Sequence, residues 1–149
     1  LQTVMHMASQ ADVPIQLHVE ENGPQTNAEL AAICDRSGMI RQRAVHHYAP
    51  ANVSESFTHG LSASVSMGKE SISDIMESYL HCSSTWTMET DYLDDPRRPG
   101  AVLGPKTVPK RTQTLVTALL ANVDKNQAED LLNHIHSIWP SALYGEIDP

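Results

Sequence analysis

The sequence predicts an α/β protein of the TIM-barrel type, and three observations carry that prediction. Short apolar runs alternate with helix-patterned stretches four times along 149 residues. Three of those runs end in polar clusters: His18 after Pro14-Ile15-Gln16-Leu17, His46-His47 after Ala44-Val45, and Glu89-Thr90-Asp91 after Trp86-Thr87-Met88. The spacing suits the fold as well. His18 and His46 lie 28 positions apart, close to the ~31 residues that each of eight units occupies in a barrel of ~250. The 45 positions from His46 to Asp91 leave room for one strand without a polar cluster. The chain thus reads as four β/α units plus C-terminal helices, a single partial barrel domain over residues 1–149. A flavodoxin-like sheet is the competing architecture.

The elements follow in order. Val4, Met5 and Ala8 recur at helical spacing, so residues 1–10 read as the end of a helix. Pro14 opens a strand over 14–19, and Asn22-Gly23-Pro24 turns the chain. Thr26 or Asn27 can cap a helix that runs to Arg36 and stops at Gly38. Residues 42–48 form the second strand, ended by Pro50. Ser54 begins a short helix before Gly60, and Leu61–Met67 alternates with period two as the third strand. Its small residues suit a crowded barrel interior. Ile72, Ile75, Met76, Tyr79 and Leu80 form an apolar stripe for a helix over 70–82, packed outside the barrel. The fourth strand covers 85–90, and a long Pro-rich loop runs from Asp91 through Val108. Loops longer than ~12–15 residues without structure of their own are commonly functional or disordered. Helices follow over 110–122 and 125–138, the second capped by Asp124, and the tail from Trp139 is expected along the surface.

Composition excludes some classes. Hydrophobic residues make up 40% of the chain, and no apolar run nears the ~20 residues that span a bilayer. The first residues carry no secretory pattern, and a start other than Met points to a fragment or processed chain. Cys34 and Cys82 lack CxxC neighbours and read as reduced thiols of a cytoplasmic protein. The net charge of −8 disfavours broad electrostatic attachment to nucleic acid. Five of the ten basic residues nevertheless fall together: Arg97, Arg98, Lys106, Lys110 and Arg111.

Imidazole and carboxylate at successive strand ends fit a divalent metal site, because those ends share one face of a barrel. His18, His46 and Asp91 are the expected ligands. Adjacent strand residues point to opposite faces, so only one of His46 and His47 can look inward. The expectation takes His46 as that ligand, with His47 packed elsewhere or touching substrate from the loop. Glu89 and Asp91, two apart, share a face and divide into a ligand and a carboxylate that orients a ligand or water. The basic loop can be read as solvated, or as a holder for phosphate through Arg forks and Lys point charges. His6, His59, His81, His134 and His136 have no partner at metal spacing and read as structural or exposed.

The run Met88-Glu89-Thr90-Asp91, with His18 closing Gln16-Leu17-His18 and His46 opening His46-His47-Tyr48, resembles the TatD family of metal-dependent hydrolases. These are amidohydrolase-like TIM barrels, and the extended loop from Asp91 to Gly100 looks most like archaeal members. The resemblance covers nearly the whole chain but only the family's C-terminal half. It implies that His18, His46 and Asp91 stand at metal-ligand positions on barrel strands five, six and eight. It implies phosphodiester hydrolysis, notably of DNA, at a two-metal centre of zinc, manganese or magnesium. The family's first-strand His-x-His pair and bridging Glu do not appear: no His-x-His precedes His18, and the pair in His134-Ile135-His136 falls in a C-terminal helical stretch. His47-Tyr48 replaces the more usual Cys-Phe.

Three functional expectations follow. The complete protein is a phosphodiesterase, with Asp91 and Glu89 catalytic and His47 and the basic loop holding substrate. Alternatively, the chain is a non-catalytic half-barrel that binds metal or assembles with its missing N-terminal half or a second copy. A third reading, an amidohydrolase of C–N bonds, shares the ligands.

Overall fold

The computed structural model describes residues 1–90 and 104–145. Four strands, β1 (Ile15–Leu17), β2 (Ala44–Ala49), β3 (Ser62–Ser66) and β4 (Trp86–Glu89), form one sheet in the order β1-β2-β3-β4. Every neighbouring pair is parallel. Helices α1 (Gln2–Gln10), α2 (Pro24–Ser37), α3 (Glu55–Thr58) and α4 (Ser71–Ser78) precede or join the strands. Helices α5 (Thr107–Leu120), α6 (Lys125–Asn133) and α7 (Trp139–Tyr144) follow them. Sequential order without reversal distinguishes this α/β chain from a doubly wound sheet and matches a section of a TIM-type barrel.

Local chemistry explains the boundaries. Pro24 sits at the start of α2, where its fixed φ suits the first turn and its missing N–H costs nothing. Gly38 ends that helix at φ 74°, so that Met39 N–H reaches the Cys34 carbonyl at 3.0 Å. Asp124 caps α6 by accepting from Gln127 N–H at 3.0 Å, and the Gln127 side chain returns the bond to the Asp124 N–H.

The helices bury one face of the sheet. Leu17 and Ala44 pack with Met5, Leu30, Ala31 and Cys34. Ala63, Val65 and Trp86 pack with Ile72, Ile75, Leu115, Leu119 and Ile135. The stripe read from the sequence thus faces this core: Ile72 and Ile75 are buried and Met76 and Tyr79 pack against it, whereas Leu80 is exposed.

The C-terminal tail departs from its expected surface course. Residues His134–Ile138 form a π-helical turn leading into α7, and Leu143 is buried. The Trp139 ring stacks obliquely on Trp86 at 6.0 Å, and Gln16 Nε2 donates to the Tyr144 hydroxyl at 3.0 Å. The tail therefore touches both outer strands. Pro140 did not forbid this, because it falls in the first turn of α7. Helix α5 also begins earlier than expected, at Thr107, with Pro109 in its first turn.

Leu115 lies at 0% exposure in the larger core, so Leu115→Ala should cost ~2–5 kcal/mol. Urea unfolding measures this; a loss below ~1 kcal/mol would contradict α5 packing against β3 and β4.

Candidate metal and hydrolytic site

Strand register decides which polar side chains meet. Leu17 pairs with His46 and His46 with Ala63, while Ala63 pairs with Trp86. That row lies on the helix-covered face. Alternation sends Gln16, Val45, Ser62, Ser64, Thr87 and Glu89 to the opposite face. Between His46 and Ala49 the β2–β3 register shifts by a bulge, with Tyr48 at φ 56°. One extra residue bends the strand there. Ala49 returns to the core face, opposite Val65.

His47 and Glu89 are joined across the open face. His47 Nδ1 lies 3.0 Å from Glu89 Oε2, and both side chains are largely covered. An ionised carboxylate only accepts, so the Nδ1–H of His47 is the donor. Ser64 Oγ donates to the same Oε2. The His18 ring, exposed just past β1, stands 5.6 Å from the His47 ring. Glu89 Oε1 is buried without a hydrogen-bond partner among the described residues.

The two adjacent histidines have therefore exchanged the positions expected of them. His46, expected inward, is 2% exposed and held among amides. His47, expected elsewhere, shares the open face with His18 and Glu89. Alternation separates the two rings; the pairing of His46 with Leu17 and Ala63 decides which is which.

The His46 surroundings are specific. Asn27 Nδ2 donates to the Phe57 carbonyl at 2.8 Å, which leaves Asn27 Oδ1 to accept from His46 Nδ1–H at 2.8 Å. Asn22 Oδ1 lies 2.9 Å from His46 Nε2. A neutral ring accepts at that nitrogen, so Asn22 satisfies it with its amide turned over, Nδ2 donating. Burial, then the neighbouring His47 and His18, hold the His46 pKa below its ordinary value. His46 thus ties the β1–α2 loop that follows His18 to α2.

Asp91, Arg97 and Arg98 lie outside the described residues. Lys106 and Lys110 are exposed at the start of α5. Arg111, within α5, donates from Nε to the Met67 carbonyl past β3 at 3.4 Å. Among the histidines set aside, His6 meets the Ser37 carbonyl at 3.0 Å and His136 meets Thr112 at 3.2 Å. Sequence reasoning gave Ser64 no role and read Asn22 only as a turn residue and Asn27 only as a possible helix cap. Period-two alternation from Glu89 back through β3 was the available signal for Ser64.

The donor chemistry fits a divalent ion: two neighbouring imidazoles and a buried, unsatisfied carboxylate oxygen, which is costly when left alone. The set is partial, since among the described residues no group of three His, Cys, Asp or Glu side chains is arranged to hold a metal.

Parallel β/α units in sequential order, with histidines and a carboxylate toward their C-terminal ends, define a section of a TIM-type barrel. The chain belongs to the TatD family of metal-dependent hydrolases: a family profile described as TatD related DNase matches residues 1–137. An uncharacterized protein of Methanocaldococcus jannaschii is 30% identical over 116 residues, which cover 78% of this chain and 40% of that protein. The chain thus spans about 40% of that relative's length. No solved structure matches. No helix among the described residues is long and apolar enough to cross a membrane.

Because the folded chain holds His46 with a lowered pKa, the unfolded chain binds more protons below the ordinary imidazole value of ~6.5. Stability should therefore fall as pH drops from ~6.5 toward the folded-state value. His136, lowered by burial, adds in the same direction. His46→Gln should flatten the acid-side slope in urea unfolding at several pH values; an unchanged slope would contradict a buried neutral His46.

Proposed function

We propose that the complete protein of which this chain is part is a metal-dependent phosphodiesterase of the deoxyribonuclease type, working at the C-terminal ends of β1, β2 and β4. The grouping of His18, His47 and Glu89 on one face carries the reading. His18 and His47 would hold a divalent ion, zinc, manganese or magnesium, together with Asp91. The chemistry that such an ion supplies is polarisation of a phosphoryl oxygen and acidification of water toward pKa ~7.

The remaining steps belong to the chain's own groups. Glu89 accepts a hydrogen bond from the Nδ1–H of His47 and so orients the ring with Nε2 as its ligand nitrogen, as carboxylates commonly do behind metal-binding histidines. Arg111, beside the end of β3, with Lys110 and Lys106 on the same helix start, supplies positive charge for a phosphate. Arg97 and Arg98 extend this basic set in sequence. The basic set favours phosphodiesters over the C–N bonds of an amidohydrolase.

This chain by itself is expected to be inactive or nearly so. Its 40% coverage of the archaeal relative supports this. The outer edges of β1 and β4 carry no paired strand among the described residues, and such edges invite pairing. The N-terminal half of the barrel is the expected partner, with a second copy as the alternative.

Two measurements test this. The complete protein with Mn²⁺ should cleave bis-p-nitrophenyl phosphate, and Glu89→Gln should weaken its metal binding ~10–100-fold. Cleavage of an amide substrate alone, or a fully active His47→Ala variant, would overturn the assignment. Separately, residues 1–149 alone should show little turnover and should gain it with the N-terminal half. Robust Asp91-dependent cleavage by the lone chain would show that half a barrel suffices.

A further inference from the structure

Resting on the reading of His47 as a ligand and Glu89 as the carboxylate that orients it, we propose that Ser64 is a positioning residue for the site. It is the small hydroxyl over which Glu89 reaches His47, and it fixes the carboxylate oxygen that His47 uses.

The sheet order creates the need. His47 is on β2 and Glu89 on β4, with β3 between them. Neighbouring strands lie ~4.8 Å apart, so these two backbones are separated by roughly 9–10 Å. The side chains nevertheless meet at 3.0 Å. They do so across the face on which β3 presents Ser64, which pairs in register with Thr87, two residues before Glu89 on the same side. A β-branched or larger side chain at position 64 would occupy the path of the bridge. Serine leaves the path open.

Its hydroxyl does more than leave room. Ser64 Oγ–H donates to Glu89 Oε2, the same oxygen that accepts from His47. Thr87 Oγ1 lies 3.5 Å from Ser64 Oγ on the donor side. The order Thr87→Ser64→Glu89←His47 gives the serine proton one direction. Both bonds converge on Oε2, while Oε1 stays buried without a partner among the described residues. A carboxylate rotated about its last bond would exchange the two oxygens; the Ser64 bond opposes that rotation. His47 Nδ1–H thereby keeps one acceptor in one place, and the ring keeps one tautomer.

The test uses the complete protein and two variants. Ser64→Ala keeps the space and removes the hydroxyl; Ser64→Val fills the space. The ¹⁵N resonances of the His47 ring are recorded without metal, and Mn²⁺ affinity is then measured by titration. Wild type should show a dominant Nδ1–H tautomer. Ser64→Ala should shift the ring toward mixed tautomers and weaken Mn²⁺ binding by about tenfold, the low end for a group behind a ligand. Ser64→Val should weaken it further, with thermal unfolding as the check that both variants fold. A folded Ser64→Ala protein with wild-type ring resonances and wild-type affinity overturns the proposal. Should Ser64→Val fail to fold, Ser64→Ala decides alone. Should wild type bind no Mn²⁺, the metal reading falls, and the ring resonances of Ser64→Ala still decide the role of Ser64.

Discussion

Everything in this chain depends on the locked register of β2, β3 and β4. Parallel pairing fixes His46 against Ala63 and Ala63 against Trp86, and period-two alternation then assigns every other side chain to a face. One face joins the helices in two apolar clusters. The other carries hydroxyls, His47 and Glu89. A slip of one residue would move Trp86 into the polar face and Glu89 into the core. The apolar burial that stabilises the fold therefore also sets the chemistry.

The polar face has its own cost, which cross-strand hydrogen bonds offset. Ser62 donates to the Gln42 carbonyl at 2.6 Å and is also bonded to Thr85, and Ser64 is linked to Thr87 and Glu89. Small hydroxyl residues can be covered and still satisfied in this way. Two groups stand outside this accounting among the described residues, Trp86 Nε1 and Glu89 Oε1. The second lies in the candidate site, where an unsatisfied acceptor is useful.

The C-terminal helices tie the section together. Trp139 on Trp86 and Tyr144 on Gln16 bring one short helix into contact with the two outermost strands. Arg43, at the start of β2, adds bonds to the Asp12 carbonyl and, at 3.5 Å, to the Ala142 carbonyl. The Trp86 and Arg43 contacts lie at the starts of β4 and β2, away from Glu89 and His47, whereas Gln16 is the middle residue of β1. Packing at one end and polar chemistry at the other is the division of labour expected of a β/α barrel.

By itself the sequence determined the element order up to the C-terminal tail, the parallel α/β class and the strand ends that carry the polar clusters. These are local properties: apolar periodicity, Pro and Gly punctuation, and a capping Asp124 act within a few residues. The family, too, was legible in Met88-Glu89-Thr90-Asp91. The tertiary structure alone decided that His47 and not His46 faces Glu89. Alternation says that neighbours diverge, but only pairing with β1 and β3 says which way each one goes. It also decided that residues from Trp139 onward form a helix reaching β1, a contact 128 positions away in sequence. Ser64 was invisible for the same reason: its hydroxyl acquires a role only once β3 lies between a histidine and a glutamate.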